Sequence, residues 1–146
     1  MNNHAHYPSI SGKVVFITGG ASGIGRAMVK AFAAQAAKIA FIDINNEAAQ
    51  SLIASLPNAK LWFRQVDVTD SNALQQSLVD ACAELGAINV LVNNVANDRR
   101  QASEDVTVQD WDQCLQINLN PAFFASQVAM SFMKSEGAGS IINFSS

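Results

Sequence analysis

The segment Thr18-Gly19-Gly20-Ala21-Ser22-Gly23-Ile24-Gly25, together with Asp43, has the residue types and spacing needed to hold a phosphorylated ligand. Glycines let the main chain turn tightly and pass close to a pyrophosphate. A helix opening behind them supplies unpaired N–H groups and positive potential. A glycine cluster alone is often an ordinary tight turn; this one follows an apolar run and opens a helical pattern. Asp43 lies 18 residues beyond Gly25. A carboxylate there accepts hydrogen bonds from ribose hydroxyls and repels a 2′-phosphate. Neither Ile44, Asn45 nor the glycine loop offers an arginine to pair with such a phosphate. The two features read together as a dinucleotide site that favours NAD over NADP. A helix-capping or merely solvated aspartate is the plain alternative for Asp43.

These groups must be positioned by an alternating framework. Lys13 to Thr18 and Lys38 to Ile44 are apolar runs of the kind buried on both faces of a parallel sheet. Lys60 to Val68, Asn89 to Asn93 and Ser140 to Phe144 give three further strands. Between them fall helical patterns: Ile24, Met28, Ala31 and Phe32 in the first, an Asn45-capped helix running to about Leu56, and Ser71 to Leu85 with a Leu74, Leu78, Cys82, Leu85 stripe. Val95 to Val106 reads as a loop. Thr107 and Asp110 resemble a capping box, opening a helix that carries Trp111, Leu115 and Asn118; Pro121 marks a break before a second stretch running to about Ser135. The β-α-β order predicts an α/β, doubly wound parallel sheet with ligand sites at the carboxyl ends of its strands. Gly19, Asp43, Asp67, Asn94 and Ser146 fall at those ends.

Composition narrows the function classes. Of the 146 residues 49% are hydrophobic and 14% charged, which is globular. The net charge of −3 and the pI of about 5.2 disfavour nucleic acid as a partner. No apolar run is long enough to span a membrane. Cys82 and Cys114 have no metal or redox spacing, so a reduced, cytoplasmic protein is the simplest reading. Met1 to Ser11 reads as a frayed polar tail whose His4 and His6 are too few for a metal site.

The loop has the T-G-x-x-x-G-x-G form and resembles that of the classical short-chain dehydrogenases/reductases. That family's order continues along nearly all of the chain from Gly12 onward. The resemblance implies a Rossmann-like fold, with Gly19, Ser22, Gly23, Ile24 and Gly25 on the pyrophosphate and Asp43 on the ribose. It implies Asp67-Val68 at the adenine and Asn94, in Asn93-Asn94-Val95-Ala96, near the cofactor's central portion. It gives Asn118 the role of ordering a relay water and Ser146 that of the catalytic serine. Val95 and Ala96 depart from the family's N-N-A-G. The family's Tyr-x-x-x-Lys is also missing from these residues, and Tyr7 cannot stand in. Losing a general base costs ~10²–10⁴-fold in rate. Residues 12–146 are therefore expected to be the N-terminal part of a longer single-domain enzyme, inactive alone, with its fifth strand left as an open edge.

Asn97-Asp98-Arg99-Arg100, Phe123-Phe124-Ala125 and Asn143-Phe144 are similar to the branch that oxidises aldoses at C1, which implies a sugar substrate met by Asn97 and Arg99; a solvated loop is the plain alternative. Trp111, Phe123, Phe124 and Phe132 read as core or subunit contact, and the family's habit implies a homo-oligomer. A non-catalytic NAD-binding module and a structural protein reusing the fold are the competing functions.

Overall fold

The computed structural model describes residues 5–145. Five parallel strands, β1 (Val14–Thr18), β2 (Lys38–Asp43), β3 (Lys60–Gln65), β4 (Ile88–Asn93) and β5 (Ser140–Asn143), form one sheet in the order β3-β2-β1-β4-β5. The helices are α1 (Gly23–Ala34), α2 (Asn46–Ala54), α3 (Ser71–Leu85), α4 (Val108–Asn118) and α5 (Asn120–Glu136).

Strand alternation sorts side chains onto two faces. Val15 and Ile17 of β1 join Ile39 and Phe41 of β2 beneath α1 and α2, which contribute Val29 and Leu52. Val14 and Phe16 turn to the opposite face, beneath Leu74 and Leu78 of α3 and Ala125 and Ala129 of α5. All five residues of β1 are buried, as an apolar run covered on both faces must be. The strand order reverses between β1 and β4, and a crevice opens there at the carboxyl ends.

Several elements differ from the sequence reading. β3 stops at Gln65, so Asp67 and Val68 lie in the turn beyond it. Asp67 Oδ1 accepts from the Thr69 N–H at 2.9 Å and the Thr69 hydroxyl at 2.8 Å, and this side-chain turn competes with the strand ladder. The buried stripe of α1 runs through Gly25 and Val29, with Met28, Phe32 and Ala33 partly covered. Ile24 and Ala31 face solvent, because the close approach of Gly25 rotates the helix. The stretch from Ala5 is docked rather than frayed. Gln35 accepts from the Tyr7 N–H and donates to the Ala5 carbonyl, each at 2.9 Å, and Ile10 packs against the core. His4 falls outside the described residues, His6 bonds Gln35, and no metal-binding group forms among those described. Of the aromatic set, Phe132 packs on the core, whereas Trp111 and Phe123 are more than half exposed.

Candidate functional site

The glycine turn is stitched to β2. The N–H groups of Gly19 and Gly20 both donate to the Ile42 carbonyl, at 2.8 and 3.1 Å. Gly25 presses so closely on this turn that an added Cβ would stand 1.8 Å from the Gly19 carbonyl oxygen. Gly23 adopts φ +50° with open space before it. Ser22 is the N-cap of α1, yet its hydroxyl caps nothing, and the first turn holds no acidic residue. The unpaired amides and dipole of α1 therefore face the crevice uncompensated.

Asp43 closes the adjoining wall. Its Oδ2 accepts from the Ala21 N–H and its Oδ1 from the Asn45 N–H, both at 2.9 Å. The carboxylate thus ties the glycine loop to the end of β2 and keeps lone pairs for a ligand. It is not the helix cap; Asn45 caps α2 through Ala48. Across the sheet, Thr18 and Asn94 interlock. The Asn94 and Val95 N–H groups donate to the Thr18 hydroxyl, and Asn94 Nδ2 donates to the carbonyls of Thr18 and Gly19. Gly19, Ser22, Gly23, Ile24, Asp43, Asp67, Val68 and Asn94 together line a single cleft of about 890 Å³, within the range of small-molecule sites.

A second cavity of about 520 Å³ lies on the other side of the β4–α4 loop and shares Val95, Ala96, Asn97, Asp98 and Ile117 with the first. Asn118 stands in its wall at the end of α4, where the break before α5 falls. Its Oδ1 accepts from the Asn97 N–H at 2.8 Å, and its Nδ2 donates to the Asn97 and Cys114 carbonyls. The side chain is therefore spent on pinning the loop. Arg99 lines neither cavity; it lines a smaller hollow under α4 beside Asp110. Of the two residues expected to meet substrate, Asn97 lines both this cavity and the hollow, and Arg99 the hollow alone; Asp98, between them in sequence, lines the cavity. Ser146 lies outside the described residues. Ser145, its neighbour, lines the cavity at the end of β5.

The family model for short chain dehydrogenases matches residues 13–146. The chain belongs to the short-chain dehydrogenase family. It is 42% identical over 145 residues to a protein of Rhizobium meliloti named "probable galactose dehydrogenase", covering 97% of this chain and 57% of that protein. It is 39% identical over 144 residues to the D-xylose 1-dehydrogenase of Caulobacter vibrioides, covering 97% and 56%. A crystal structure of a short-chain dehydrogenase from Streptomyces avermitilis superposes with a TM-score of 0.86 at 28% identity, over 92% of this chain and 49% of that one. The chain spans about half the length of the relatives it matches.

Within this short-chain dehydrogenase fold, two residues carry more than their sequence positions suggested. Asn93 is buried, and its Nδ2 donates to Asn143 Oδ1 at 2.8 Å across the β4–β5 pair. Its own Oδ1 is buried without a donor. The signal was an asparagine at the same level of two apolar strands, legible only once the strands are known to be neighbours. Thr18 joins the glycine turn to Asn94, and a threonine ending a buried strand carries no such mark in one dimension.

Proposed function

We propose that the protein is an NAD-dependent dehydrogenase that oxidises an aldose sugar at C1. The observation carrying the cofactor assignment is that Asp43 lines the cleft at the end of β2, beside the glycine turn, while no lysine or arginine lines that cleft among the described residues. A 2′-phosphate would meet a carboxylate and find no cation. The glycine turn fits a dinucleotide: it is a cradle that a Cβ at Gly25 would fill, backed by free helix amides. When bound, the nicotinamide supplies the hydride acceptor.

The chain's own residues then have these roles. The first turn of α1, with Ser22, Gly23 and Ile24, binds the pyrophosphate. Asp43 takes the adenosine ribose hydroxyls, Asp67 and Val68 meet the adenine, and Asn94 holds the turn beneath the cofactor. Asn118 fixes the β4–α4 loop and stands beside the path of a proton-relay water; Ser146 polarises the substrate oxygen. Sugar chemistry is supported by the relatives named for galactose and D-xylose. A homo-oligomer, formed through the exposed Trp111 and Phe123, and a cytoplasmic location belong to the same proposal. No helix among the described residues is long and apolar enough to cross a membrane.

Calorimetry tests the reading. NAD is expected to bind at least tenfold more tightly than NADP, the size of a pairing lost to one like charge, and Asp43→Ala is expected to erase that preference. Equal or tighter NADP binding by the unaltered protein rejects it. The 146 residues alone are proposed to bind NAD without turning over a sugar. Turnover by that fragment would reassign the acid/base chemistry to residues within it.

A further inference from the structure

The second cavity has one charged residue in its described lining, and that residue is Asp98. The remaining polar wall consists of amides, hydroxyls and the Cys114 thiol, which accepts from Asn118 Nδ2. Asn97 Oδ1 is occupied by the Arg99 N–H and Asn143 Oδ1 by Asn93, which leaves the Nδ2 donors of Asn97 and Asn143 uncommitted among the described residues. The Asp98 carboxylate is engaged by no hydrogen bond or ion pair among them. Asn93, whose buried Oδ1 lacks a donor, lines the same cavity. Free acceptors beside free donors suit hydroxyl groups, each of which both donates and accepts. An anion would meet a carboxylate with no cation in the described wall. Arg99 of the same loop lines the separate hollow beneath α4, with Asp110 in the same wall.

We propose that Asp98 selects the substrate: its carboxylate accepts hydrogen bonds from neighbouring hydroxyls of an uncharged polyol and turns away sugars that carry a carboxylate or phosphate. This rests on the dehydrogenase reading above and adds to it a charge class for the substrate and a residue that enforces it. Asp98 occupies both cavities' walls, so it stands where the cofactor and the substrate sites meet. Its carboxylate can close a two-point contact with a vicinal diol, which a lone amide cannot do with two acceptor oxygens.

The test uses the full-length protein with NAD and two substrates that differ by one group, a neutral hexose and the uronic acid bearing a carboxylate at its C6. The unaltered enzyme is expected to prefer the neutral sugar by about tenfold or more in kcat/KM, and Asp98→Asn to bring the two within about threefold, mainly by raising the neutral sugar's KM and lowering the uronate's. Asp105→Asn changes the charge of the same loop by the same amount without lining the cavity, and is expected to leave the ratio unchanged. A ratio that Asp98→Asn does not move, one that Asp105→Asn moves equally, or a preference for the uronate in the unaltered enzyme overturns the proposal. NAD binding is measured in parallel. Its loss in the unaltered protein would sink the dehydrogenase reading, whereas intact NAD binding with an unmoved ratio would sink this inference alone.

Discussion

The two flanks of the sheet are held by different means. On one side β1 and β2 are sealed between α1, α2 and α3, and their apolar side chains have almost no exposure. On the other, all four residues of β5 are exposed and α4 buries none of its residues. Ile141, Ile142, Phe144, Trp111 and Phe123 stay open to solvent. Beyond the β4–β5 backbone ladder, that flank is fixed by a set of polar pins: Asn93 to Asn143, Asn118 to Asn97, and the capping box of Thr107 with Asp110. Burial is non-directional and secures the flank that carries the glycine turn. Hydrogen bonds are directional and individually worth only ~0.5–1.5 kcal/mol. Within the described residues, the β5 flank is thus the part expected to open first.

Substitutions can break or sharpen this contrast. The largest effect is expected in the sealed half. Phe16→Ala empties a site with no exposure and should cost ~3–5 kcal/mol in urea unfolding. A loss below ~1 kcal/mol would mean that the β1 side is as loosely packed as β5. Gly25→Ala comes next. The new Cβ collides with the Gly19 carbonyl, so the turn must open at ~1–3 kcal/mol, and NAD binding should vanish from calorimetry. Retained binding would detach the cofactor site from that turn.

On the pinned flank, Thr107→Ala should cost about 1 kcal/mol, measured the same way, because α4 loses its cap and gains nothing. Asp110 is also a pH handle. Hydrogen bonds from the Thr107 hydroxyl and N–H, then Gln101, hold its carboxyl below its ordinary value of 3.8. A depressed folded pKa stabilises above the unfolded value, and that contribution is lost as pH falls below about 4 through the folded pKa. Asp80 is lowered in the same direction, first by Gln76 and then by Arg64. Unfolding midpoints measured from pH 6 downward should therefore fall on acidification, and Asp110→Asn should flatten part of that slope. The smallest effect is expected at Ile142→Ser, within ~0.5 kcal/mol for an exposed site, together with less self-association by sedimentation. A larger loss would show that solution covers this strand with another surface.

Much of the site was legible because its signals are local. Thr107 and Asp110 announce a cap by spacing alone, and the structure forms it. The glycine cluster between an apolar run and a helical pattern locates the turn, and Asp43 ends the following strand. The misreadings share a cause. Ile24 and Ala31 fit a helical stripe as well as Val29 does, and only the contact of Gly25 with the turn decides which face goes inward. For Trp111 and Phe123 helical spacing left core and subunit contact both open, and only their exposure in the fold removes the core reading. Which hollow each residue of the Asn97–Arg99 stretch lines was likewise out of reach, because loop direction is not encoded by residue type.

By itself, then, the sequence determined the alternation of strands and helices, their caps, and the placement of Gly19, Asp43 and Asn94 at strand ends. Each of these follows from the conformational preferences of a few adjacent residues. Tertiary structure alone decided that Asn93 faces Asn143, that Asn118 spends its amide on Asn97, and that Asp98 is the single charge in the described wall of the second cavity. Such pairings span 21 to 50 residues of chain. They exist because parallel strands bring distant segments to one edge, where side-chain chemistry is set by neighbours in space rather than along the chain.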